Sequence, residues 1–170
     1  MKYSKKFIIM HWVHALLLTF LLIGASLKLP ELGKNVDLSA FKMHIILGVI
    51  ATLLTFVRIF MAIKEPKLVP LYSTDNIKQK MSDWNHKLIY ITLVIVGLSG
   101  IATAKISNLG SVVVFGAKKS NFDYNSLSQL FGNIHSASTT VLIALIIMHI
   151  AGVVMYKYNT GKNAITRMLF

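Results

Sequence analysis

The sequence predicts an all-α protein, an integral membrane four-helix bundle, and three observations carry that reading. Hydrophobic residues fill 55% of the 170 positions and charged residues only 14%, and the mean hydropathy of +0.64 is foreign to a soluble domain of this size. Four apolar stretches, Phe7 to Leu27, Met43 to Ile63, Leu88 to Ala104 and Ala137 to Tyr156, each approach the ~20 residues that cross a hydrocarbon core of about 30 Å. The basic residues lie between those stretches and at their ends. A segment in lipid must satisfy its own backbone polar groups, which a helix does without a neighbour.

Taken in order, the first span (about 7–27) follows Lys2, Lys5 and Lys6 and contains His11, Trp12 and His14. A basic start before an apolar run is also the pattern of a signal peptide, but this run is long for one and those three residues interrupt it. The second span (43–63) is stopped by Pro66, with Pro70 close behind, because proline removes a donor and clashes with the preceding turn. The polar stretch Ser73 to Lys80 leads to the third span (84–104), where Asp75 or Ser82 is the expected helix cap. Gly97 and Gly100 in that span are read as small residues that allow close helix approach. The long connection from Ile106 to Gln129 carries Val112, Val113, Val114 and Phe115 ahead of Lys118 and Lys119. It is expected to rest on the membrane surface, to pack over the helix ends or to serve substrate access. The fourth span covers 132–156. No connection is large enough for a second domain, so residues 1–170 are read as one transmembrane domain.

The net charge of +12 raises nucleic acid as a partner, but the basic residues form neither a polar face nor an aromatic-interleaved patch, and nucleic acid is excluded. Membrane topology accounts for them. With the N-terminus inside, Lys2, Lys5, Lys6, Arg58, Lys64, Lys67, Lys78, Lys80, Lys87, Lys157, Lys162 and Arg167 are inside. Lys28, Lys34, Lys42, Lys105, Lys118 and Lys119 are outside. Twelve against six follows the positive-inside rule and puts both termini in the cytoplasm. The chain has no cysteine, which excludes disulfides, thiolate metal sites and covalent haem attachment through a Cys-x-x-Cys-His motif.

All six histidines fall in or beside the apolar stretches, where an ionisable side chain is costly and marks function by default. His135 and His149 are fourteen residues apart in the fourth span. On a helix that spacing is a rise of about 21 Å and a rotation about 40° short of four turns, so both imidazoles share one face near opposite ends. Two histidines on one face need facing partners, as bis-imidazole haem ligation requires. At the outer level only His44 is available to face His135. At the inner level the partner of His149 is His11, His14 or His86. Ala15, Gly48, Ser136, Ser138, Ala151 and Gly152 lie beside these histidines and would give a flat macrocycle clearance. Arg58 lies fourteen residues after His44, on much the same face, placed either to pair with a haem propionate or to anchor at the headgroups. A proton or metal path usually also needs intramembrane carboxylates, and all six acidic residues are in loops or at span ends.

Together these residues resemble the bacterial cytochrome b561 family, four-helix membrane cytochromes with two b-type haems between the helices. The resemblance covers nearly the whole chain. It rests on Met10-His11-Trp12, on Met43-His44 with Gly48 and Val57-Arg58, and on His86 with Leu88-Ile89-Tyr90. It continues through Asn121-Phe122, Ser126-Leu127 and His135 to His149, then Asn163 to Met168. It implies two haem b groups as cofactors, with His11 and His149 as iron ligands of the inner one and His44 and His135 of the outer one. His86 matches a family histidine that is not a ligand, with a role near a propionate or a quinone. His14 matches no family histidine and, one turn from His11, is an alternative ligand. The implied function is electron transfer across the bacterial inner (cytoplasmic) membrane between an outer donor and ubiquinone or another quinone. Some members are thought to oxidise superoxide, an anion that Lys105, Lys118 and Lys119 would attract. The alternative is a membrane-anchoring cytochrome subunit relaying electrons for a dehydrogenase or hydrogenase. A homodimer is the expected assembly.

Overall fold

The computed structural model describes residues 2–28, 38–73, 76–118 and 121–169. The helices are α1 (Lys5–Lys28), α2 (Leu38–Lys64), α3 (Ile77–Ile106), the short α4 (Leu109–Phe115) and α5 (Ser126–Thr160), followed by a 3₁₀ turn (Ala164–Met168). Among the described residues α1, α2, α3 and α5 are each long and apolar enough to cross a membrane, and no strand occurs. The bundle is all-helical, as its composition and apolar run lengths require.

Local chemistry sets the helix ends. α2 stops at Lys64, two residues before Pro66, since the residue preceding a proline is driven out of the helical region. α3 starts earlier than its apolar stretch because Asn76 caps it, the side-chain oxygen accepting from the Lys78 N–H at 2.9 Å. Asp75, one of the two expected caps, lies outside the described residues. The other, Ser82, sits inside α3, where its carbonyl accepts from His86 Nδ1 at 2.7 Å. Asn125 caps α5 in the same way, accepting from the Ser128 N–H at 3.0 Å. α5 ends at Gly161, whose φ of 68° is accessible to glycine at no Cβ cost.

Packing arranges the long helices as an arc: α1 lies on α2, α2 on α3, and α3 on α5 along the most extensive interface. α5 stands off from α1 and α2. Polar residues are buried along α3, Asn85, Thr92 and Ser99 among them, and Asn85 Nδ2 donates across the seam to the Leu145 carbonyl of α5 at 3.3 Å. The hydroxyl of Ser99 returns its proton to the Ile95 carbonyl at 2.6 Å, and Thr103 does the same to Ser99 at 2.9 Å. Such internal bonds satisfy polar groups where no water is available. Large apolar side chains such as Leu16, Phe20, Phe60, Ile63 and Val154 point outward, a surface that lipid rather than water can solvate.

The two ends of the bundle are built differently. At the proximal end, where α1 and α3 begin and α5 finishes, the chain is laced by hydrogen bonds. Ser4 donates its N–H and hydroxyl to the Glu65 carboxylate at 2.6 and 2.9 Å. Trp12 Nε1–H reaches the Met168 carbonyl at 2.8 Å, and Arg167 reaches the Val69 carbonyl at 2.7 Å. At the distal end α4 closes the bundle: Leu109 and Val113 are buried against Phe41, with Ile45 alongside. Of the expectations for this segment, packing over the helix ends is what Val112 and Val113 do. Phe115, 85% exposed, is the part that projects.

Candidate functional site

The arc leaves α5 facing α1 and α2 across an interval, and histidines line both sides of it. At the distal end His44 of α2 and His135 of α5 have ring centroids 6.1 Å apart and planes at 88°. At the proximal end His11 of α1 and His149 of α5 are 6.5 Å apart with planes at 53°. His86 of α3 also approaches His149, at 4.9 Å. Metal–imidazole bonds run about 2.0–2.1 Å and the ring centre lies about 1.1 Å beyond the nitrogen, so two imidazoles trans on one metal hold their centroids about 6.2–6.4 Å apart. The first two pairs fit that spacing, whereas His86 and His149 are too close for an atom between them.

His135 and His11 are oriented by different devices. The Nδ1–H of His135 donates to the Val96 carbonyl across the α3–α5 seam at 2.9 Å; a carbonyl only accepts, so the lone pair is left on Nε2. Gly100 makes room for that ring, since a Cβ there would stand 2.9 Å from its Cε1 and Nδ1. His11 Nδ1 meets the guanidinium of Arg58, which has donors only, so this nitrogen accepts. Arg58 also lies over the Tyr90 ring at 5.5 Å, and its Nε is buried without a hydrogen-bond partner. It therefore turns into the bundle and does not reach for the headgroups. The Trp12 ring stands edge-on to His11 at 5.4 Å.

His14 goes elsewhere. It is fully buried between α1 and α2, its Nε2 3.3 Å from Thr55 Oγ1. Among the described residues no group of three or more His, Asp or Glu is arranged to hold a bare metal ion. The six histidines thus resolve into two facing pairs, a neighbour to one of them in His86, and His14 on a different interface. This is an arrangement suited to a flat group clamped at two depths.

A profile of the family described as prokaryotic cytochrome b561 matches residues 2–170. The chain belongs to that family. Comparisons with curated proteins and with solved structures gave no match. A cytochrome b561 is a membrane electron-transfer protein that binds b-type haem, and this cytochrome has the four membrane-spanning helices of that architecture. Around its histidines, three contributors were not legible as site residues. Thr55, Tyr90 and the Val96 carbonyl act through contacts 32 to 41 residues apart in sequence, which no local pattern reveals. Gly100 was legible as a small residue in a span, and the neighbour it admits is His135.

Proposed function

We propose that this cytochrome holds two b-type haems, one at each end of the bundle, and passes electrons between a donor at the distal end and the quinone pool. The observation that carries the proposal is the pair of facing imidazoles at each of two depths, His44 with His135 and His11 with His149, at 6.1 and 6.5 Å. In this reading those four residues are the axial ligands, and residues 1–170 form a single transmembrane domain. A haem with imidazole at both axial positions supplies one-electron transfer and leaves no open site for oxygen.

The chain's own groups have defined tasks. Val96 fixes the tautomer of His135 and leaves the lone pair on Nε2, the nitrogen that would hold the iron. Neutral His11, with Nδ1 accepting from Arg58, carries its proton on Nε2. His11 would hold an iron through Nε2 in its deprotonated form, and Arg58, the cation beside its Nδ1, would be the group to pair with a haem propionate. The buried, unpartnered Nε of Arg58 supports this role. His86, next to His149, belongs to the same environment near a propionate or quinone.

Both termini are assigned to the cytoplasmic side of a bacterial inner membrane, on the excess of basic residues at the proximal end. The distal end then faces outward with Lys42, Lys105 and Lys118 exposed, which suits an anionic donor such as superoxide. A homodimer belongs to the same reading, and the mass of the detergent-solubilised particle decides it. Reduced-minus-oxidised spectra with a haem-to-protein ratio test the core of the proposal. A b-type spectrum at two haems per chain is expected, and a colourless preparation would sink it. Rapid-mixing reduction by superoxide that slows as salt rises would support the donor; no reduction overturns it.

A further inference from the structure

The interface between α1 and α2 is tied along a single line. Ser4 bonds Glu65; seven residues further along α1 and seven back along α2, His11 meets Arg58. Three further along and three back, His14 meets Thr55. These steps are about two turns and then one, so the three ties form a ladder on one antiparallel seam. The first rung is at the membrane edge and the middle one joins a haem-facing histidine. The third is the interior rung, with His14 at 0% and Thr55 at 1% exposure.

The direction of the interior bond follows from hydrogen counting. Thr55 has one hydroxyl proton and gives it to the Ala51 carbonyl at 2.9 Å, so its oxygen accepts from His14 Nε2–H. Nε2 is the nitrogen a ligand would use, and here it is committed to α2. The remaining nitrogen, Nδ1, is buried without a partner.

We propose that His14 is a positioning residue: its bond to Thr55 sets the rotation of α1 against α2 and so aims His11 at His149. α1 has its one extensive helix interface with α2 and stands off from α5; its bonds to the C-terminal turn, from Tyr3 N–H to the Arg167 carbonyl and from Trp12 to the Met168 carbonyl, hold its proximal end, and the bond from His14 is the tie deeper in the bundle. Apolar contacts in lipid are weakly directional, whereas an interhelical hydrogen bond is not. A helix with its side chains is about 5–6 Å in radius, so a 20° roll of α1 moves a side-chain tip by about 2 Å. That is enough to take an imidazole off a metal axis. His14 is three residues beyond His11, about 60° round and about 4.5 Å along, close enough for the two to roll together.

This inference rests on the two-haem reading, and the test separates the two. Thr55→Val keeps the side-chain shape and removes the accepting oxygen; Thr55→Ser restores it. His14→Gln keeps a donor near the Nε2 position, and His14→Leu removes it. Each variant is purified with its haems, and the electron paramagnetic resonance signal of each haem and the haem-to-protein ratio are recorded. Expected is a shifted signal for the proximal haem in Thr55→Val and His14→Leu, an unchanged distal signal, and return toward the parent in Thr55→Ser and His14→Gln. Parent signals in Thr55→Val and His14→Leu overturn the positioning role while leaving the two-haem reading intact. Loss of one haem in His14→Gln with both retained in His11→Ala overturns it by making His14 the ligand. A parent protein without b-type haem overturns the two-haem reading instead.

Discussion

The distal and proximal imidazole pairs have nearly the same separation and very different surroundings. In the distal pair His135 is held by backbone: a carbonyl of α3 fixes it, a glycine Cα makes space for its ring, and the two planes are perpendicular at 88°. The proximal pair is surrounded by side chains, with Arg58, Trp12 and His86 in contact and planes at 53°. Backbone geometry resists substitution and carries no net charge; side chains can be exchanged and can bring charge. The contrast separates a site defined by shape from one adjusted by electrostatics, within one bundle.

The strongest way to break that contrast is to remove ligands one end at a time. His135→Ala and His44→Ala should each halve the haem-to-protein ratio and leave the proximal signal, and His149→Ala should do the converse. Loss of both haems in any one of them would show that the ends are not independent. Next in size is Gly100→Val, which drives a branched side chain into the His135 ring. Overpacking costs about 1–3 kcal/mol, and roughly tenfold weaker haem retention is expected at the distal end alone, read from haem loss during detergent dilution.

Arg58→Leu sharpens the other side of the comparison. Removing a cation about 10 Å from a redox centre changes its energy by roughly 1–2 kcal/mol at an effective dielectric of about 20, or about 40–90 mV for one electron. The proximal midpoint potential should fall by that amount in a redox titration while the distal one stays. Trp12→Phe should have the smallest effect. It removes one hydrogen bond to the C-terminal turn, worth about 1 kcal/mol, and a melting temperature lower by about 2–4 °C is expected.

Fold class was readable because its signal is local: apolar run length, and histidines fourteen apart in one run. That His135 and His149 share one helix face also followed from helical period alone. Longer-range features did not. The start of α3 depends on which of several polar residues turns its side chain to cap, and Asn76 does so, a contest between Asn, Asp and Ser that composition leaves open. The direction of Arg58 was equally hidden. Its position on the His44 face was legible, but whether a long side chain turns inward depends on Tyr90 and His11, which come from other helices. His14 and His11 look alike in sequence, and the neighbouring helix distinguishes them.

One uninterrupted helix, α5, contributes an imidazole to each pair. The distance between the two proposed haem sites is therefore written into covalent structure, as a count of fourteen residues, and does not depend on how helices slide past one another. Substitutions at the outward-facing positions between His135 and His149, such as Val141 and Ile147, can be numerous, because they alter lipid contacts. A single deletion or insertion there is a different event. It would swing one imidazole by about 100° relative to the other and shorten or lengthen the span by about 1.5 Å, so this segment tolerates changes of letter but not of length.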